Sequence, residues 1–178
     1  MNERLTVIIG PSGAGKSIHV QRLLQEHPAE LVRTYTDRPR RGADDDDTHI
    51  FVTRDALEAM KQADQLLGSG TMLGYQYGLP RFSLEGDPKV VLLRAPFVPA
   101  VKEQQPNAAI IQFEAAVPTL MERLHARGDA ARADAESLAK EIALGRKLAS
   151  YVISTELPFE QSYKEFERAW HDIHSPAS

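Results

Sequence analysis

Apolar residues along this chain occur in short blocks that are separated by longer polar segments. The first block, residues 5–9, is rich in β-branched side chains and ends at Gly10, which predicts a buried central strand. The polar segment that follows carries Val20, Leu23 and Leu24 at the spacing of one helical face. The chain is therefore predicted to begin with a strand, a glycine-rich turn and a helix, in that order.

The second half of the chain repeats this alternation of strand and helix. Two buried strands and a last core strand are predicted at residues 89–93, 108–113 and 151–154. Helices are predicted between and after them, at residues 118–128, 129–149 and 158–170. The last helix carries its aromatic side chains on one side, namely Phe159, Tyr163, Phe166 and Trp170. Strands that alternate with helices favour an α/β fold with a parallel sheet.

The segment from about residue 34 to 88 interrupts this alternation and is predicted to be an inserted subdomain. Thr53 can cap a helix that runs to about residue 63. Residues 66–80 contain too many glycines for a helix and favour short antiparallel strands with turns. The remaining pieces are predicted as two short strands and a polar loop, at residues 33–36, 49–52 and 37–47.

Composition places the chain among ordinary globular proteins and excludes several classes. Its 178 residues suit one domain, with 42% apolar and 26% charged residues. The net charge of −4 argues against a general nucleic-acid binder. The absence of cysteine excludes disulfides and thiolate metal sites and is compatible with a cytoplasmic location. The N-terminal apolar run is too short for a signal peptide or a membrane span, so no membrane role is expected.

The turn after the first strand has the pattern of a phosphate-binding loop, G-x-x-x-x-G-K-[ST]. Glycines let several backbone N–H groups point at one anion, and the following helix adds the positive end of its dipole. Lys16 can reach the β and γ phosphates, and the Ser17 hydroxyl can ligate Mg²⁺. The predicted nucleotide-binding residues are Gly10, Pro11, Ser12, Gly13, Ala14, Gly15, Lys16 and Ser17.

Such a loop serves switch GTPases, motor-type ATPases and small-molecule kinases alike. An ATPase usually carries an aspartate at the end of an apolar strand to help hold Mg²⁺. Here the strand at 89–93 is followed by Arg94, and the strand at 108–113 by Glu114. The chain also lacks an N-K-x-D motif for reading a guanine base. These departures weaken the ATPase and GTPase interpretations.

Beyond this loop, several weaker motifs follow one another in an order that resembles the guanylate kinase family. They are GPSGAGKS at 10–17, TDRPRRG at 36–42 with HIFVTRDAL after it, GYQYG at 74–78, LMERLHARG at 120–128 and YVIS at 151–154. The resemblance covers most of the chain. It implies a P-loop NTPase-type parallel sheet with flanking helices, an acceptor-binding mixed β/α subdomain at about 34–88, and a helical lid at about 126–140. The core would comprise residues 1–33 and 89–178 of a single domain.

The resemblance also implies ATP and Mg²⁺ as the phosphate donor, and roles for individual residues. Lys16 would stabilise the phosphoryl group in transfer, and Ser17 would hold Mg²⁺. Three arginines would close over the phosphates as catalytic lid cations, namely Arg123, Arg127 and Arg132. Cations of this kind offset negative charge in the transition state, and their fork geometry suits phosphate oxygens.

On the acceptor side the chain keeps part of the family pattern and loses part of it. The residues expected to bind a phosphorylated acceptor are Arg38, Arg40, Arg41, His49 and Tyr77. His49 stands where the family has a tyrosine, and Asp37 where it has the first of two arginines. The positions that read guanine fall on Gly68 and Leu79, neither of which can supply a side-chain hydrogen bond.

Phosphate capture is therefore expected to persist while recognition of guanine is lost. By resemblance the acceptor is a nucleoside monophosphate, GMP or dGMP, and a phosphosugar as in ribose 1,5-bisphosphate kinases is the alternative. A non-catalytic guanylate-kinase-like binding module is a third interpretation, although Lys16 and Ser17 favour catalysis. A monomer or a homodimer is expected. The aspartates at 44–47 are predicted to form a solvated acidic loop, with Mg²⁺ binding as the alternative.

Overall fold

The computed structural model describes residues 4–42 and 45–175, without the side chains of Asp45 and Asp46. The strands are β1 Leu5–Ile9, β2 Glu30–Val32, β3 Thr34–Thr36, β4 His49–Phe51, β5 Leu66–Met72, β6 Tyr75–Pro80, β7 Lys89–Leu92, β8 Ala109–Glu114 and β9 Tyr151–Ser154. The helices are α1 Lys16–Glu26, α2 Asp45–Thr48, α3 Arg54–Gln62, α4 Val98–Gln104, α5 Val117–Ala126, α6 Ala135–Leu148 and α7 Phe159–His174.

A five-stranded parallel sheet in the order β2-β7-β1-β8-β9 forms the centre of the fold. The predicted α/β class and the central position of β1 are confirmed. Val7 and Ile9 point to one face of the sheet, where they pack with Val98 of α4. Ile8 points to the other face, where it belongs to the cluster that contains Phe166 of α7. Because β1 is buried on both faces, its apolar run is continuous rather than alternating.

A second, four-stranded sheet is built from the segment that interrupts the alternation. Its order is β4-β3-β6-β5, with β3 and β4 parallel and the other pairs antiparallel. The predicted hairpin over residues 66–80 and the helix capped by Thr53 are both confirmed. The Thr53 hydroxyl accepts a hydrogen bond from the Ala56 N–H at 3.2 Å. The division into core, acceptor subdomain and lid stays a prediction.

Three local predictions need correction. The loop at 37–47 gives way to the short helix α2, which begins at Asp45. The helix predicted over 129–149 is wrong at its start, because α6 begins only at Ala135. The Asp134 carboxylate accepts a hydrogen bond from the Ser137 N–H at 2.8 Å and so caps α6, after a 3-10 turn at Ala130–Arg132. The strand at 151–154 forms an edge of the sheet rather than its interior.

The aspartate run lies only partly within the described residues. Asp44 is outside them, and the Asp47 carboxylate accepts a hydrogen bond from the Gln21 amide of α1 at 3.1 Å. In the described ranges 4–42 and 45–175, every helix is too short or too polar to cross a bilayer.

Candidate active site

One cavity of about 780 Å³ lies at the carboxyl ends of the parallel strands and reaches across to the second sheet. Its walls come from the phosphate-binding loop, the first turn of α1, both sheets, α4 and the segment after α5. Ligands of open α/β sheets bind outside the carboxyl ends of the strands, where the connections leave a crevice. The fold therefore places this cavity beside the loop that the sequence singles out for phosphate.

The phosphate-binding loop has a conformation that depends on glycine. Gly10 has φ 141°, and a Cβ there would lie 2.2 Å from the carbonyl oxygen of Phe113. Gly15 has φ 82° and lies directly before the first residue of α1. Five of the eight predicted loop residues line the cavity, namely Ser12, Gly13, Gly15, Lys16 and Ser17. The other three are buried beneath it, namely Gly10, Pro11 and Ala14.

The Lys16 side chain folds back over the phosphate-binding loop. Its ammonium group donates hydrogen bonds to the carbonyl oxygens of Gly10 at 2.6 Å and Pro11 at 2.9 Å. Burial, followed by repulsion from Arg94 and more weakly from Arg132, lowers the pKa of Lys16 to about 7. The approach of an anion stabilises the charged form of a lysine in this environment, because the anion offsets both the repulsion and the lost hydration.

Arg94 is a cation of the site that sequence reasoning did not propose. It follows β7 and lines the cavity. Its guanidinium forms a two-pronged ion pair with the Glu141 carboxylate of α6, which is 8% exposed. Its third nitrogen approaches the Ser12 hydroxyl at 3.4 Å. Residues 94 and 141 lie on different elements, so no local pattern marks the pair.

The three predicted lid arginines fall into two groups. Arg127 and Arg132 line the cavity, and the Arg132 guanidinium donates a hydrogen bond to the Ser12 hydroxyl at 3.1 Å. Arg123 does not line the cavity. Its guanidinium donates to the carbonyl oxygens of Gly13 at 3.1 Å and Thr155 at 2.7 Å. In this structure Arg123 therefore stabilises the phosphate-binding loop from outside the cavity lining.

The predicted acceptor residues also divide. Those that line the cavity are Arg38, Arg41, His49 and Tyr77. Arg40 lies outside the lining, with its guanidinium carbon 4.5 Å from the centre of the Phe51 ring. The His49 and Tyr77 rings meet edge to face, with centroids 6.1 Å apart.

Asp37 has a structural role in the loop that carries these arginines. Its carboxylate accepts hydrogen bonds from the Arg54 guanidinium and the Gln76 N–H, each at 2.7 Å. Burial alone would raise the pKa of Asp37, but these bonds together lower it. Asp37 therefore anchors the loop at residues 37–42, the predicted acceptor loop, to β6 and α3 as an anion.

The acceptor loop and the predicted lid are joined by an ion pair. The Arg41 guanidinium donates to the Asp129 carboxylate at 2.9 Å, and both residues line the cavity. Among the cavity-lining residues of the described chain, Asp129 is the sole acidic one. Because Arg41 already engages the Asp129 carboxylate, the described part of the wall has no other carboxylate that could accept hydrogen bonds from a nucleotide base.

The wall between the two sheets is apolar at the two positions that the family resemblance assigns to guanine recognition. Gly68 and Leu79 both line the cavity. Their neighbours in the wall have apolar side chains, namely Phe97, Ala100 and Val101. These side chains cannot form hydrogen bonds with a guanine, and each polar group left unpaired on burial costs free energy.

Comparison with known proteins gives this site a family. The sequence profile of guanylate kinase matches residues 2–172. The chain belongs to the guanylate kinase family. It is 34% identical to the guanylate kinase of Thermosynechococcus vestitus over 190 aligned positions, which cover 98% of this chain and 95% of that protein. The family resemblance predicted from the order of the motifs is thus confirmed.

Other relatives match over a shorter stretch or only in fold. The guanylate kinase of Synechococcus sp. strain CC9902 is 40% identical over 86 residues, so the match spans 47% of this chain and about half, 46%, of that relative. A crystal structure of guanylate kinase from Anaplasma phagocytophilum superposes with a TM-score of 0.76 and 16% identity, over 99% of this chain and 89% of that one. At that identity the likeness concerns the P-loop α/β fold alone.

Proposed function

We propose that this protein is a kinase that transfers the γ-phosphoryl group of ATP to a small acceptor that already carries a phosphate. One observation carries the proposal. A single cavity joins Lys16 and Ser17 of the phosphate-binding loop to Arg38 and His49 of the acceptor side. Donor and acceptor phosphates bound at its two ends would face each other in one space, as direct phosphoryl transfer requires.

Catalysis would rest on positioning and on positive charge, without a covalent intermediate. Lys16, Arg127 and Arg132 are spaced around the mouth of the loop, where they would offset the charge that develops on the transferring group. The hydroxyl of Ser17, in the first turn of α1, fits the oxygen ligand that Mg²⁺ prefers. When bound, Mg²⁺ would supply positive charge that offsets part of the negative charge of the ATP phosphates.

The ion pair between Arg41 and Asp129 gives this site a means of excluding water. It joins the acceptor loop to the turn after α5 across the cavity. Closure of such segments over the phosphates keeps water from accepting the phosphoryl group in place of the substrate. Arg41 is thus proposed both to bind the acceptor phosphate and to hold the cavity closed.

Two acceptors are favoured by different observations. Family membership favours GMP or dGMP. The apolar wall at Gly68 and Leu79 favours an acceptor without a base to recognise, such as a phosphosugar of the ribose 1,5-bisphosphate kind. A site that lacks its hydrogen-bonding partners can lose discrimination by several orders of magnitude. We therefore expect weak selectivity for guanine over other bases.

A screen for ADP release tests the proposal. Purified protein with Mg·ATP is offered GMP, dGMP, the other nucleoside monophosphates and ribose 1,5-bisphosphate, with Lys16→Met as the inactive control. Turnover with any one of these acceptors supports a kinase, and its identity decides between nucleotide and phosphosugar. Stabilisation by ATP without turnover on the whole panel would instead favour a regulator that binds ATP but transfers no phosphate. Absence of both would favour a non-catalytic binding module.

A pair of arginine variants tests the acceptor side. Arg41 lines the cavity, whereas its neighbour Arg40 does not and stacks on Phe51. We expect Arg41→Ala to raise KM for the acceptor at least about tenfold, as for the loss of a charged hydrogen bond, with little change in KM for ATP. Arg40→Ala is the matched control with a smaller effect. Equal effects of the two variants would contradict this assignment.

A further inference from the structure

A group of side chains that can ligate a metal ion lies at the other end of α1, away from the cavity. His27 follows the last residue of α1, and Glu167 and His171 lie on α7. The His27 Nε2 atom is 2.8 Å from a carboxylate oxygen of Glu167. The rings of His27 and His171 meet nearly at right angles, with centroids 5.0 Å apart. One donor atom from each of the three side chains lies within 4.8 Å of the other two.

The two helices hold these side chains on a firm scaffold. Leu23 of α1 and Phe166 and Trp170 of α7 are buried in the same apolar cluster, so the helices are fixed to each other. The His27 N–H donates to the carbonyl oxygen of Leu23 at 2.8 Å, which fixes its backbone at the end of α1. Glu167 and His171 are four residues apart and therefore project from the same face of α7.

We propose that His27, Glu167 and His171 form a binding site for Zn²⁺, with solvent as the fourth ligand. Two imidazole nitrogens and one carboxylate oxygen are a typical set for zinc with an open position. Mg²⁺ and Ca²⁺ are disfavoured because they prefer all-oxygen sites. This proposal is independent of the kinase function and concerns a different part of the molecule.

The spacing of the three donors is close to what the ion requires. Zinc–ligand bonds of about 2.0–2.1 Å in a tetrahedron place neighbouring ligand atoms about 3.3 Å apart. The donor atoms of His27 and Glu167 are 2.8 Å apart, and all three donors lie within 4.8 Å of one another, so small rotations of the side chains can reach that geometry. The Glu167 side chain is half-buried and His171 is exposed, so both have room for this rotation. The His27 side chain is only 17% exposed.

The neighbouring charges support a site of three ligands. Glu26, which adjoins His27 in sequence, accepts a hydrogen bond from the Arg22 guanidinium at 2.9 Å. It is therefore engaged and is not counted as a ligand. Neutral imidazoles and one carboxylate would leave the bound ion with a single net positive charge, which solvent at this half-exposed position can accommodate.

The site would connect the first and the last helix of the chain, α1 and α7. Lys16 begins α1, and the 11 residues of that helix place His27 about 16 Å away along its axis. Zinc at this position would link the helix that presents Lys16 and Ser17 to the last helix of the chain. An ion that binds only the folded protein raises the free energy of unfolding with the logarithm of its concentration over Kd.

The test uses the whole chain, freed of metal with a chelator and without nucleotide. Zn²⁺ is titrated by calorimetry, and thermal unfolding is followed with and without the ion. We expect one Zn²⁺ per chain and a rise in Tm. Co²⁺ in place of Zn²⁺ should give the visible absorption of a tetrahedral ion.

Three variants make the result specific. His171→Ala should lower Zn²⁺ affinity at least about tenfold and remove the rise in Tm. Glu167→Gln keeps the shape of the side chain and should weaken binding as well. His125→Ala, on the exposed face of α5, is the control and should bind like the unmodified protein. Absence of stoichiometric binding, or equal affinity in His171→Ala and His125→Ala, would overturn the proposal. These results are independent of the kinase proposal, because the experiment measures metal binding in the absence of nucleotide.

Discussion

The proton affinity of Lys16 gives the most direct test of the donor site. Its pKa is lowered to about 7 by burial and by the arginines around it, so the free protein carries a mixture of charged and neutral lysine near neutral pH. Bound triphosphate would supply the opposite charge that this ammonium lacks and would return its pKa toward the ordinary value. Binding of Mg·ATP is therefore expected to take up a proton whenever Lys16 is neutral beforehand.

The size and sign of the effect follow from that pKa. At pH 6 about 90% of the free protein carries a charged Lys16, and at pH 8 only about 10% does. Because the complex needs the charged form, affinity for Mg·ATP should be nearly full at pH 6 and should fall about tenfold between pH 6 and pH 8. That fall corresponds to about 1.4 kcal/mol of binding free energy. Proton uptake should rise over the same interval from about 0.1 to about 0.9 per nucleotide.

Calorimetry in pairs of buffers with different ionisation enthalpies measures both quantities at once. Mg·ATP is used because Mg²⁺ keeps the terminal phosphate of the nucleotide itself from titrating in this range. Lys16→Met removes the titrating group while keeping the length of the side chain, so its remaining proton uptake is the background. An affinity that stays constant from pH 6 to pH 8, or an uptake unchanged in Lys16→Met, would refute this account of the site.

Three further changes test the packing around the site. Arg94→Ala leaves the Glu141 carboxylate, 8% exposed, without its ion pair, and urea unfolding should show a loss of about 3 kcal/mol that Glu141→Leu in the same chain largely restores. Gly10→Ala places a Cβ 2.2 Å from the Phe113 carbonyl oxygen and should abolish stabilisation by Mg·ATP in thermal unfolding. Gly42→Ala should behave like the unmodified protein, because its Cβ would have no atom of the described residues within 4 Å apart from its own chain neighbours. Phe166→Ala empties a fully buried position and should lower the free energy of unfolding by about 3–5 kcal/mol, measured in the same urea series.

Features that depend on neighbouring residues in sequence could be predicted without the structure. The buried run at β1, the glycines and Lys16 of the phosphate-binding loop, and the Thr53 cap each require only a short stretch of chain. Their physical causes, namely β-branched burial, positive φ and a local hydrogen bond, act within a few residues. The order of the short sequence motifs along the chain was likewise enough to indicate the family.

Start positions of helices were less predictable where two local interactions compete. The alanine-rich segment after Gly128 has the composition of one continuous helix, yet α6 begins only at Ala135. The Asp134 side chain supplies a cap at that point, and the turn before it carries Arg132 to the cavity. Helical propensity is a weak preference, and here a cap and a tertiary position overrode it.

The sequence by itself determined the phosphate-binding loop, the alternation of strands and helices, and membership of a kinase family, because each rests on local geometry or on motif order. Only the tertiary structure decided which arginines reach the cavity. It turned Arg123 toward the loop carbonyl groups, stacked Arg40 on Phe51 and paired Arg94 with Glu141. It also brought His27 to α7. A long side chain is directed by the elements packed around it, and those elements come from distant parts of the chain.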